Sequence, residues 1–203
     1  MRVVVVSKTR LGQSACVGAH DLDDFRSLRL FKHDQTYLPQ DAPIEIGDIL
    51  DLEYRDRPNL QAPHFEDVLV AEGSARRVAR QADLARLIRE RDTVWESVPQ
   101  LFEGCLRFTP SGSAYVPAEG PFPTRSTGYW LIDCPLTRFT FGEKVKYRWD
   151  GEGNLRRMPY VGLAESVESI LAGTLVRLSL SRPNAPPGQP SGCWLQLSGW
   201  YLQ

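Results

Sequence analysis

The spacing of apolar positions changes along the chain, and the changes mark its elements. Residues 2–9 contain four consecutive valines, the pattern of a strand buried on both faces. "SACVGAH" (14–20) follows across a glycine-containing turn at Leu11–Gln13, and "FRSLRLF" (25–31) sets four apolar residues among two arginines. Residues 48–56 alternate more strictly, with Ile49, Asp51 and Glu53 against Leu50, Leu52 and Tyr54, as in a half-buried strand. "HFEDVLVAEG" (64–73) supplies another strand. From Asp83 the period becomes helical. Leu84, Leu87, Ile88, Trp95 and Val98 fall on one stripe, with Asp83 or an earlier polar residue to cap the helix and Pro99 to end it.

Strand spacing returns after residue 128. "YWLID" (129–133) and "TRFTF" (137–141) lead into "KVKYRWD" and "LRRMPYVG", which pair across the turn-forming "DGEGN". "GTLVRLSLSRP" (173–183) and "CWLQLSGWYL" (193–202) complete the set. Residues 109–128 are rich in Pro, Gly, Ser and Thr and read as a linker loop. About ten short strands, half on each side of that loop, predict an all-β protein built as two small barrels, because each half can then close and hide its edges. The predicted domains are 1–108, with the helix at its end, and 129–203. A single sandwich is the competing arrangement.

Composition restricts the classes. The chain has 203 residues, 42% hydrophobic and 24% charged, which is ordinary for a globular protein. No apolar run approaches the ~18 residues of a membrane helix, and the opening valine run is too short for a signal peptide. A soluble cytoplasmic protein with no membrane partner is expected. Cys16, Cys105, Cys134 and Cys193 are widely separated, and His20, His33 and His64 show no ligand spacing to them. No disulfide, metal or cofactor is expected. Phosphate-loop, dinucleotide and nucleophile-elbow motifs are absent.

Net charge is −1, which excludes a global basic field. The distribution is uneven. Residues 34–73 carry ten Asp/Glu against two Lys/Arg, while residues 1–33 carry three against six. Lys144, Lys146 and Arg148 alternate with Val145, Tyr147 and Trp149. Alternation sends the cations to one face of a strand and the rings to the other. The cations therefore suit phosphates, and Tyr147 and Trp149 suit a core better than base stacking. Arg156 or Arg157 extends the stripe across the turn. At the other end of the chain, Lys8, Arg10, Arg26 and Arg29 offer a second basic set. His64, Glu66 and Asp67 invite a hydrolase reading, but no second histidine supports it, and a structural histidine is the simpler assignment.

"VVVVSKTRLGQSACVGAHD", with Ser7-Lys8, Gly12 and Cys16-Val17-Gly18, resembles the opening of the dual OB-containing domain family. "FRSLRL", "GDILDLEY", "QAPHFEDVLV" and the closing "LVRLSLSRP…GCWLQLSGWYL" extend the resemblance over most of the chain. Thr9 and the Phe65-Glu66-Asp67 sequence depart from the family pattern. The resemblance implies two tandem OB-like barrels and a setting in bacterial defence systems.

The expectation is a non-catalytic module that binds single-stranded DNA or RNA. It would use Lys8, Arg10, Arg26, Arg29, Lys144, Lys146, Arg148 and Arg157 on the phosphates. The alternative is an adaptor or inhibitor whose acidic 34–73 segment engages a basic protein partner.

Overall fold

The computed structural model describes residues 1–202, which divide into two compact units, Met1–Asp92 and Thr93–Gln203. The division falls earlier than the composition suggests. Residues 93–128, read above as a domain end and a linker, build part of the second unit.

In the first unit β1 (Arg2–Leu11), β2 (Ser14–Asp21) and β3 (Ser27–Phe31) form an antiparallel meander, with a short β4 (Leu38–Pro39) beside β2. The next extended stretch is split into β5 (Asp48–Asp51) and β6 (Tyr54–Asp56). Its first half pairs with β1 and its second half with β7 (Asp67–Val70), which in turn lies parallel to β3. The path β1-β2-β3-β7-β6/β5-β1 therefore closes on itself, and the valines of β1 are fully enclosed. Such closure is what leaves no apolar edge to manage.

Outside this path, β8 (Arg76–Arg80) pairs with β5 and is exposed along its length. Helix α1 (Leu84–Arg91) is capped by the Asp83 side chain, which accepts from the Arg86 N–H at 2.9 Å. It ends earlier than its apolar stripe predicts. The Asp92 N–H closes the last turn on the Ile88 carbonyl at 2.8 Å, and the chain then turns extended. Trp95, placed on the helix by spacing alone, belongs instead to a strand of the second unit.

The second unit repeats the strand order. The short β9 (Val94–Trp95) and a 3₁₀ segment at Val98–Gly104 precede the hairpin of β10 (Arg107–Phe108) and β11 (Ala114–Pro117). β12 (Thr127–Leu131) and β13 (Leu136–Phe141) follow one another across the short link 132–135. β13 pairs with β14 (Lys144–Trp149), and β14 with β15 (Arg157–Pro159). Beyond the small β16 (Ser169–Ile170), β17 (Leu175–Leu180) lies antiparallel to both β12 and β18 (Gly192–Tyr201). A parallel bridge from Tyr160 to Leu197 joins the end of the β15 strand to β18. The second path, β12/β13-β14-β15-β18-β17-β12, thus has the same connectivity as the first. β11 joins its edge through β18. The Pro/Gly-rich stretch is strand-forming there because Ala114 and Val116 are buried in the core.

That core is assembled from large side chains, with Trp130, Tyr147, Trp149, Phe102 and Leu136 all essentially inaccessible. Trp130 meets Trp149 edge to face at 5.5 Å between centroids, an arrangement favoured by the ring quadrupoles. The Trp149 indole donates to Asp133 at 3.1 Å, and the Tyr147 hydroxyl donates to the Val167 carbonyl at 2.7 Å. Both polar tips are thereby satisfied without solvent.

Candidate nucleic-acid interface

The outer face of β13, β14 and β15 is set by one turn. Phe141 pairs with Lys144, so only Gly142 and Glu143 lie between the strands. Gly142 has φ +61°, which a type II′ turn requires at its first central position. This turn fixes the register as Phe141–Lys144, Phe139–Lys146 and Thr137–Arg148, and β15 adds Arg157 opposite Arg148. Directly opposed residues share a face. Two phenylalanines and four cations consequently project together, while Leu136, Tyr147, Trp149 and Met158 of the alternate positions fill the core.

Phe141 is 65% exposed, unusual for so large an apolar ring. Lys146 Nζ stands 4.8 Å from the centroid of that ring, within cation–π range. Partial burial, together with the nearby charges of Arg157 and Lys144, pushes the Lys146 pKa down. Among the described residues, Lys144, Lys146 and Arg157 have no ion-pair partner. Arg157 Nε donates to the Ser113 hydroxyl at 3.2 Å. Arg148 does have a carboxylate, Asp150, at 3.0 Å. The face is therefore a cluster of cations held close together with little neutralisation, beside two aromatic platforms.

The cations predicted in the first unit are placed differently. Arg29 is only 7% exposed. It lies 2.7 Å from Glu66 and 3.2 Å from Asp67, with Nη1 3.4 Å from His64 Nδ1. Burial acts to lower its pKa, but Glu66 and other nearby groups outweigh this and hold it above the ordinary arginine value. Arg29 thus leaves the set of phosphate ligands: its charge is already answered inside the fold. The same cluster commits Glu66 and Asp67 to a buried ion-pair network and leaves His64 1% exposed, an arrangement that suits a structural role. Arg26 pairs with Asp56, and Lys8 donates to the Ala42 carbonyl at 2.8 Å. Arg10 is exposed near the end of β1.

The acidic middle of the chain is also partnered. Arg80 of β8 bonds Glu45 at 3.0 Å and reaches Asp48 at 3.5 Å, Arg77 lies 3.8 Å from Asp48, and Arg76 lies 4.0 Å from Asp51. A segment that looks strongly negative in sequence is paired strand to strand with the arginines that follow it.

Phe139 and Phe141 are the site residues that spacing alone does not find. "TRFTF" reads as a strand, with nothing in its own spacing to say which face its rings take. The usable signal is the two-residue Gly142–Glu143 turn, which ties the parity of Phe141 to that of Lys144.

The model of the Dual OB-containing domain family matches residues 1–200. No curated protein matches the chain. Among solved structures, a murine DNA-binding protein bound to double-stranded DNA is 11% identical with a TM-score of 0.36, and covers 100% of this chain and 96% of its own. The Ifi202 HINa domain in complex with a 20-bp double-stranded DNA is 11% identical with a TM-score of 0.40, covering 98% and 95%. A structure described as structural mimicry for functional antagonism is 12% identical with a TM-score of 0.37, covering 97% and 86%. Likenesses of that size carry no function over to this chain. The family match, spanning nearly every residue, agrees with the five-strand path found twice, and the chain belongs to the Dual OB-containing domain family.

Proposed function

We propose that the protein is a non-catalytic module that binds single-stranded nucleic acid on the β13–β14–β15 face. Lys144, Lys146, Arg148 and Arg157 would contact phosphates, and Phe139 and Phe141 would stack on bases. The carrying observation is the shared face: two solvent-directed rings stand directly across from Lys144 and Lys146. Single-strand binders need both parts, since every nucleotide brings a phosphate and a base with a π-face. In OB folds the second and third strands and the turn between the first two form the usual ligand surface. β14, β15 and the Gly142–Glu143 turn occupy those places in the second unit.

Lys8, Arg10 and Arg26 form a secondary basic set in the proposal, weakened by the existing partners of Lys8 and Arg26. The adaptor alternative rested on a free acidic segment, and the pairing of Glu45, Asp48 and Asp51 with β8 removes much of its basis. A cytoplasmic setting in bacterial defence belongs to the same proposal and rests on the family resemblance alone.

The test is fluorescence anisotropy of a labelled oligothymidylate against the full chain at about 50 mM salt, repeated with a duplex of equal length. Saturable binding that prefers the single strand and weakens steeply with salt supports the proposal. Absence of binding to single-stranded DNA and RNA at low salt overturns it.

A further inference from the structure

The first unit contains a cavity of about 320 Å³ that the nucleic-acid reading does not use. It lies at the end of the closed strand path. Leu30 of β3, Leu50 of β5, Val70 of β7 and Leu52 between β5 and β6 form its walls, and Leu38 and Ile44 come from the connection between β3 and β5. That connection spans residues 32–47 and holds no helix, only the two-residue β4. No bulky element of the connection plugs this end of the path, and apolar side chains line a space that protein atoms leave unfilled. The pocket opens to solvent on one side, so its apolar walls are accessible to a ligand of matching size.

The rim defines what fits. Lys32 lies 3.2 Å from Asp34, and His33 lies 3.6 Å from Glu72. Lys32 thus already has a carboxylate neighbour, and an anionic ligand would have to compete with Asp34 for it. Hydrogen bonds from the Thr36 side chain and backbone hold the carboxyl of Asp34, the neighbour of Lys32, at a pKa of about 2. The volume is roughly twice that of the 150 Å³ apolar cavity that accommodates a benzene ring. We infer that this cavity is a binding site for a small, uncharged, bicyclic aromatic molecule, its rings against the aliphatic walls and any polar edge at the Lys32–His33–Glu72 rim. The inference is independent of the nucleic-acid proposal, since none of these residues lies on the β13–β14–β15 face.

Indole is a suitable probe. The chain has six isoleucines, and Ile44 lines the cavity while Ile132 and Ile170 lie in the core of the second unit. In an isoleucine-methyl NMR titration of the full chain, indole should shift Ile44 saturably, with half-saturation below about 1 mM, and leave Ile132 and Ile170 in place. Val70→Phe fills the cavity and should weaken the Ile44 response at least roughly tenfold, a change equivalent to one decade in Kd. Ala75→Leu, at the exposed mouth, provides a second filler should Val70→Phe fail to fold, with the Ile132 signal reporting folding in each case. An Ile44 methyl that does not move with indole, or two folded fillers that both bind as the parent does, overturns the inference. Weakened oligothymidylate binding leaves this readout unchanged, so the two proposals fail separately.

Discussion

Phe139 and Lys146 face each other across the β13–β14 ladder on the side turned away from the core. A ring and a cation at one rung give that strand pair both chemistries a single-stranded polyanion offers to be read. The next rung, Phe141 with Lys144, repeats the pairing about 7 Å further along, two residues of strand rise.

Removing the rings should cost affinity without costing fold. Phe141→Ala is expected to weaken oligothymidylate binding by about 1–3 kcal/mol, the range for one base–aromatic stack. Its unfolding midpoint should stay within the small changes typical of exposed positions. Anisotropy and thermal unfolding on one sample separate the two effects.

Removing the cations should change the dependence on salt. Each phosphate that a side chain no longer neutralises lowers the slope of log K against log salt by about 0.7 for a single strand. Lys144→Ala combined with Lys146→Ala should flatten it by up to about 1.4. Arg29→Ala should leave the slope unchanged, because that guanidinium is enclosed by Glu66 and Asp67. A titration series at rising salt for the three proteins decides the matter.

Arg29 should show itself in stability instead. Replacing one partner of a buried ion pair strands the other charge, at a cost of about 3–5 kcal/mol. Arg29→Met is expected to lower the urea midpoint accordingly. All five tryptophans lie in residues 93–203, so their fluorescence should hardly register the loss, while far-UV circular dichroism should.

Alkaline pH should weaken binding earlier than an ordinary lysine would allow. Partial burial and the charges of Arg157 and Lys144 lower the Lys146 pKa. Between that lowered value and the ordinary 10.5, folded Lys146 holds less proton than it does unfolded. Its contribution to stability therefore rises with pH across this window. Its proposed contribution to polyanion affinity should fall over the same window, because that contribution would come from the positive charge. Lys146→Arg, which stays charged, should remove the early loss in anisotropy titrations from pH 8 to 11.

Tyr147→Phe tests the opposite face. The hydroxyl donates to the Val167 carbonyl at 2.7 Å and accepts from the Val167 N–H at 3.0 Å. Losing both bonds should destabilise the protein by about 1–3 kcal/mol. Oligonucleotide affinity of the folded variant should match the parent, because the ring points into the core.

Much of the architecture follows from local pattern. The strict alternation of Lys144–Trp149 places Tyr147 and Trp149 inside and the cations outside, as found. What local pattern does not carry is pairing. The stripe from Leu84 to Val98 looks like one helix, yet Trp95 pairs with Trp130 in a parallel ladder, a partner 35 residues distant along the chain. The stretch 109–128 looks like a linker until β18 supplies a partner for Tyr115 and Val116. Arg29 looks like a surface cation because the carboxylates that enclose it lie 37 and 38 residues away.

The two-residue step along β13 has one more consequence. Thr137, Phe139 and Phe141 touch the solvent side, while Leu136 and its β14 neighbours Tyr147 and Trp149 secure the interior. Substitutions at the three outward positions would thus change the chemistry of the proposed binding face without any repacking beneath it. Relatives of this chain should accordingly differ in ligand preference far more readily than in backbone.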